Sequence, residues 1–167
     1  KPYNCLIGHY NTKHQYLQHR YPQIFDNKTR YRVFSFVRDP FEMVVSNYYY
    51  RKKTGRTCEA SLEKHLLKKQ LYLAGLLQCN SENYKTMIDQ YFFIGILEKA
   101  QESLDILADL INRPKIKYPH TNLSKRNSEF ENLSKELIEA FKVENHLDFL
   151  IYEYCVQKLE AYTTTSP

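Results

Sequence analysis

Residues 31–56, YRVFSFVRDPFEMVVSNYYYRKKTGR, leave the chain little freedom in how it begins to fold. Val33 to Val37 is a short, nearly continuous apolar run of β-branched and aromatic residues, the pattern of a strand covered on both faces. Arg38 closes the run. Asp39, Pro40 and Glu42 then fall at the N-cap, first and third positions of a helix. This is a capping box, with proline where its missing N–H is harmless. Phe41, Val44, Val45 and Tyr48 repeat at i, i+3, i+4 and i+7, so one face of that helix packs inward. Ser46 lies roughly opposite the apolar stripe. A fixed cation and a hydroxyl thus stand close to a helix N-terminus, where anionic groups bind. The segment predicts a phosphate-type site.

The rest of the chain alternates strand and helix. Asn4 to Gly8 reads as a short strand ending in Gly-His, and Thr12 to Tyr21 as a polar, aromatic helix stopped by Pro22. Tyr31–Val37 is the next strand and Phe41–Lys53 the next helix. Leucine spacing predicts one helix over Ser61 to Leu77, with Ser61 as its cap, followed by another over Tyr84 to Gln90. Tyr91 to Ile96 is a second compact apolar strand feeding a helix from Glu98 to Asn112. Arg113 to Asn132 reads as loop, and Ser134 to Tyr162 as a long helix or a pair. Buried strands alternating with helices predict an α/β domain with a largely parallel sheet flanked by helices. Ligands of such sheets bind at the strands' carboxyl ends, where His9, Arg38 and Glu98 all fall.

With 167 residues, 43% of them hydrophobic, the chain suffices for one domain with its own core, and no linker or repeat divides it. No run approaches the roughly 18 apolar residues of a membrane span, and the opening KPYNCLIGHY does not read as a signal peptide. The net charge of +5 points towards anionic partners. Arg51, Lys52, Lys53, Arg56, Lys64, Lys68 and Lys69 cluster directly after the Arg38/Ser46 element, and residues 113–126 hold five more basic residues and no acid. Cys5, Cys58, Cys79 and Cys155 show no metal-ligand spacing. They read as buried free thiols, although Cys58 and Cys79 would pair in an oxidising compartment. No metal site is expected.

The stretch V-R-D-P-F-E-M-V-V-S-N-Y-Y-Y resembles the 3′-phosphate-binding strand-turn-helix of sulfotransferases that use 3′-phosphoadenosine 5′-phosphosulfate (PAPS), particularly the carbohydrate sulfotransferases and their bacterial relatives. Ile7-Gly8-His9 is similar to the Gly-His element of the heparan sulfate 2-O-sulfotransferase branch. Phe93-Ile94-Gly95 with Glu98 resembles the family's later strand and helix. Asn122-Leu123-Ser124-Lys125-Arg126 is similar to its basic loop, and Asp148 with Tyr152 to its C-terminal helix. The resemblance implies a P-loop-NTPase-like sulfotransferase fold and transfer of a sulfuryl group to a hydroxyl, of a carbohydrate in the branches it resembles. It implies His9 as the base, Arg38 and Ser46 on the cofactor's 3′-phosphate, and Lys125 and Arg126 closing over the nucleotide. The family's first strand-loop-helix unit, which grips the 5′-phosphosulfate, should precede His9. Only eight residues do, so the fold is expected to be N-terminally incomplete, with a segment of the natural protein lying upstream.

The chemistry suits these residue types. Sulfuryl transfer needs in-line positioning, cations on developing charge and a base for the acceptor proton. A histidine, with an unperturbed pKa of about 6.5, serves as that base near neutrality. The planar guanidinium of Arg38 suits a phosphate better than an ammonium would. Lys52, Lys53 and Arg56 would meet an acidic polysaccharide acceptor, while Tyr49 and Tyr50, although rings of this kind line sugar sites, read as surface residues at a helix end. Two other readings stay open. One is a non-catalytic nucleotide- or polyanion-binding module, with nucleic acid a weaker case because no stacking motif is present. The other is a P-loop kinase-like phosphotransferase, which the lack of G-x-x-x-x-G-K-[ST] disfavours. The Lys/Asn/Tyr-rich composition leans towards a cytoplasmic prokaryotic protein; a eukaryotic member of the family would face the Golgi lumen.

Overall fold

The computed structural model describes residues 16–26, 30–56, 59–118, 130 and 132–164. Two short helices open this part, α1 (Leu17–Arg20) and α2 (Gln23–Asp26), separated at Pro22. Strand β1 (Phe34–Val37) leads into α3 (Pro40–Lys53), followed by α4 (Leu62–Leu66), α5 (Tyr72–Leu77) and α6 (Tyr84–Asp89). Strand β2 (Phe93–Ile96) runs through a 3₁₀ turn, Leu97–Lys99, into α7 (Ala100–Leu110). Helices α8 (Lys135–Glu144) and α9 (His146–Thr164) complete the order. The architecture is α/β and mostly helical, around a small parallel sheet.

The two strands pair in parallel with Phe34 opposite Phe93 and Val37 opposite Ile96. All four residues of β2 are buried, whereas β1 buries only Val37 fully and leaves Phe34 43% exposed. Coverage on both faces, expected for the first strand, belongs to the second. Helices α7 and α9 both pack on β2, so its outer faces meet apolar side chains rather than water. The resulting core gathers Val37, Leu73, Ile88, Phe93, Ile96, Leu107, Ile151, Cys155 and Leu159. A second cluster joins α3, α4 and α8 through Val44, Val45, Tyr48, Leu62, Leu66, Leu137 and Phe141. Ser61 and Ser134 cap α4 and α8 by accepting from Lys64 N and Leu137 N.

One predicted helix is two. The leucine spacing over 61–77 is broken after Leu66, and Leu71 takes a left-handed backbone (φ 41°) just before α5. The cause lies on another helix pair. Asn145 Oδ1 accepts the N–H groups of Gln70 (2.8 Å) and Leu71 (3.2 Å), while Asp148 accepts those of Leu73 (3.0 Å) and Ala74 (2.9 Å). Orphan donors that a continuous helix would satisfy internally are taken instead by buried side chains, which fixes a helix start there. Similarly, the helix expected from Glu98 begins as a 3₁₀ turn, because Ser103 Oγ bonds both the N–H (3.0 Å) and the carbonyl (3.2 Å) of Ile96. That clasp holds α7 close under the end of β2.

Candidate anion-binding site

Arg38 and Glu98 meet at the carboxyl ends of the paired strands. Because β1 and β2 are parallel and in register at Val37 and Ile96, the residue after one strand and the turn after the other reach the same rim. Arg38 Nε lies 3.6 Å from Glu98 Oε1, and its Nη2 lies 3.4 Å from Glu42 Oε2. The N–H of Asp39 donates to Glu98 Oε1 at 3.2 Å, and the phenol of Tyr152 on α9 donates to Glu98 Oε2 at 3.2 Å. Two other chain segments, the β1–α3 turn and α9, thus converge on the Glu98 carboxylate.

The helix start is built as the sequence predicts. Asp39 Oδ1 accepts the N–H of Glu42 at 2.9 Å, and Pro40 occupies the first helical position. This cap leaves the Asp39 carboxylate turned to its own helix rather than to Arg38. Arg38, Glu42 and Ser46 follow at four-residue spacing, so they line one side of the first two turns of α3. Ser46 is half-buried on that side, while Val44, Val45 and Tyr48 bury the other. An anion held by both Arg38 and Ser46 would therefore lie alongside α3 rather than at its tip.

Electrostatics here are mixed. Arg38 is one cation paired with the carboxylates of Glu42 and Glu98, while Asp39 is committed to its cap. Burial, followed by the charge and hydrogen bond of Glu98, pushes the Tyr152 phenol well above its ordinary value, so it stays a protonated donor. Farther inside, burial pushes the Cys79 thiol up to about 11 and the Cys155 thiol up to about 12. Both are free thiols and chemically quiet at neutral pH. Among the described residues, no group of three or more His, Cys, Asp or Glu is placed to hold a metal ion. No helix among them is long and apolar enough to cross a membrane. A cavity of about 330 Å³ lies between the starts of α4 and α8, lined by Ser61, Glu63, Asn132, Leu133, Ser134 and Leu137. None of these belongs to the β1–α3 turn.

Of the residues singled out in the sequence, Arg38 and Ser46 are placed on α3 and its approach, while His9, Lys125 and Arg126 lie outside the described residues. Tyr48 is core, Tyr49 is half-buried and Tyr50 is exposed. Asp148 caps the start of α5, whereas Tyr152, one turn on, reaches Glu98. The chain matches no family model, no curated protein and no solved structure.

Proposed function

We propose that the chain carries the 3′-phosphate-binding half of a PAPS-dependent sulfotransferase site, serving sulfuryl transfer to a carbohydrate hydroxyl. The observation that supports this reading most is the guanidinium of Arg38. It stands at the carboxyl end of a parallel strand, beside a capped helix that carries Ser46 two turns on. Those are the positions at which the resemblance puts the cofactor's 3′-phosphate, on what would be the rim of a larger P-loop-like sulfotransferase sheet. Arg38 would give that phosphate a paired, planar donor set and Ser46 a hydroxyl. Lys125 and Arg126 would add charge from the basic loop, and His9 would take the proton of the acceptor hydroxyl. When bound, PAPS supplies the sulfuryl group.

The test is calorimetry with 3′-phosphoadenosine 5′-phosphate (PAP) and with ATP. PAP is expected to bind more tightly than ATP, and Arg38→Ala is expected to abolish the difference. Tighter ATP binding, or full PAP affinity in Arg38→Ala, would rule the reading out.

The ion pairs favour a second reading. With Glu42 and Glu98 at 3.4 and 3.6 Å, Arg38 is also a tie between β1, α3 and the turn after β2. On that reading Arg38 serves the fold and holds no cofactor phosphate. The reading predicts that Arg38→Ala lowers stability by the same amount whether or not PAP is present.

A further inference from the structure

We propose that Glu98 is the resident anion of the Arg38 site, an internal carboxylate that an incoming anionic group must displace and that limits how tightly the group binds. The inference rests on the anion-site reading above and concerns how that site is regulated.

Glu98 Oε1 already stands where an anionic oxygen would sit at this turn, on one backbone donor and in an ion pair with the guanidinium. It accepts the Asp39 N–H at 3.2 Å and sits 3.6 Å from Arg38 Nε. Its second oxygen accepts the Tyr152 hydroxyl at 3.2 Å, which fixes the orientation of the carboxylate. Glu42 is a competitor of a different kind. It reaches the guanidinium from the next turn of the same helix, and its own backbone N–H is spent on the Asp39 cap.

Glu98 is also placed to leave. It lies in the 3₁₀ turn between β2 and α7, and its side chain is 37% exposed. A change of rotamer carries the carboxylate into water while Ile96 and Ser103 keep the backbone on either side in place. On the far side of the turn, Lys99 is paired with Glu160 at 3.2 Å, so it does not hold Glu98 back. Displacement leaves the Tyr152 phenol without its acceptor. Events at Arg38 are thereby felt on α9, through a contact 54 residues apart in sequence.

The charge of Glu98, rather than its shape, is what opposes an anion. Glu98→Gln keeps a carbonyl oxygen for the Asp39 N–H and removes the negative charge. Titrate inorganic phosphate into the wild type and Glu98→Gln, following the Asp39 amide and the Arg38 Nε–H by ¹⁵N-correlated NMR. The expected result is phosphate binding roughly 2–5-fold tighter in Glu98→Gln, the scale of one partly exposed charge pair. Tyr152→Phe, which loosens Glu98, is expected to give a smaller gain in the wild type and none in Glu98→Gln. Equal or weaker phosphate binding in Glu98→Gln would overturn the proposal, as would the absence of any phosphate-dependent shift at Asp39 or Arg38 in both proteins. Weaker binding in particular would make Glu98 a support for Arg38 instead of its competitor. Phosphate binding of the expected pattern with no preference for PAP over ATP would retain the role of Glu98 and remove the sulfotransferase reading.

Discussion

Asp148 accepts the backbone N–H of Ala74 at 2.9 Å across 74 residues of sequence. With the Leu73 N–H at 3.0 Å, this makes one buried carboxylate the anchor for the start of α5. Removing it orphans two buried donors, so Asp148→Ala is expected to lower unfolding free energy by about 3 kcal/mol, measured by urea denaturation. Asp148→Asn keeps one acceptor and should fall between. A loss below 1 kcal/mol in Asp148→Ala would mean that α5 is held by its apolar face alone.

The same residue sets a pH dependence. Burial raises the Asp148 carboxyl above its ordinary value, although the backbone donors oppose the shift. The folded protein therefore holds this proton more tightly than the unfolded chain. Its contribution is fully present below about pH 4 and declines as pH rises through the native value. Stability measured from pH 4 to 7 should fall less in Asp148→Asn than in the wild type.

His65 acts in the opposite sense. It is buried against Tyr48, with ring centroids 5.4 Å apart, and its pKa is lowered by burial first and then by the charge of Arg51. Stability from a histidine kept neutral is present above about pH 6.5 and lost as pH falls through the lowered native value. Thermal melts should show the wild type losing stability below pH 6.5, while His65→Phe, which keeps a ring in place, loses less over the same range.

Gly95 is a packing requirement. A Cβ there would stand 2.5 Å from Cε1 of Phe36, its partner across the sheet. The Phe36 ring, packed 6.3 Å by centroid from Phe93, must shift to admit a methyl group. Gly95→Ala is expected to cost about 1–3 kcal/mol, and Gly95→Ala in a Phe36→Leu background should cost less. Equal costs in the two backgrounds would refute the clash as the cause.

Charge is distributed unevenly. Residues 51–69 hold seven Lys/Arg against two acids, which leaves seventeen of each in the rest of the chain out of 24 and 19. The whole net charge therefore belongs to residues 51–69, the end of α3, α4 and the residues that follow each; α3 and α4 pack together. Neutralising Lys52, Lys53, Lys64 and Lys69 to Gln should lower the salt needed to elute the protein from a cation exchanger. Neutralising Lys115, Lys117, Lys135 and Lys142 should lower it less, since Lys115 and Lys142 are already paired with Asp109 and Glu139. Equal shifts would show that the charge does not act as one face.

Much of the site's scaffold was legible because its causes are local. An apolar run, an N-cap and a first-turn proline act within a few residues, so β1, α3 and the Asp39 cap follow from residues 33–48 alone. β2 and α7 are legible for the same reason, to within two or three residues at their ends. The division of 61–77 was not legible. The leucine period continues through it, and what stops the helix is Asn145 and Asp148, brought there by the packing of α9 on α5. Ser103 escaped notice likewise, since a serine within a helical period gives no hint that it clasps the preceding strand.

By itself, the sequence determined that an arginine would end a strand and stand beside a capped helix with Ser46 two turns on. It also determined that the positive charge would gather beyond that helix, because both follow from short-range spacing. Only the tertiary structure decided what Arg38 faces. Parallel pairing of β1 with β2 sets Val37 opposite Ile96 and so carries Glu98 to the guanidinium, while α9 supplies Tyr152 to hold the carboxylate there. Contacts between residues 54 to 60 positions apart arise from register and packing, and no local pattern encodes them.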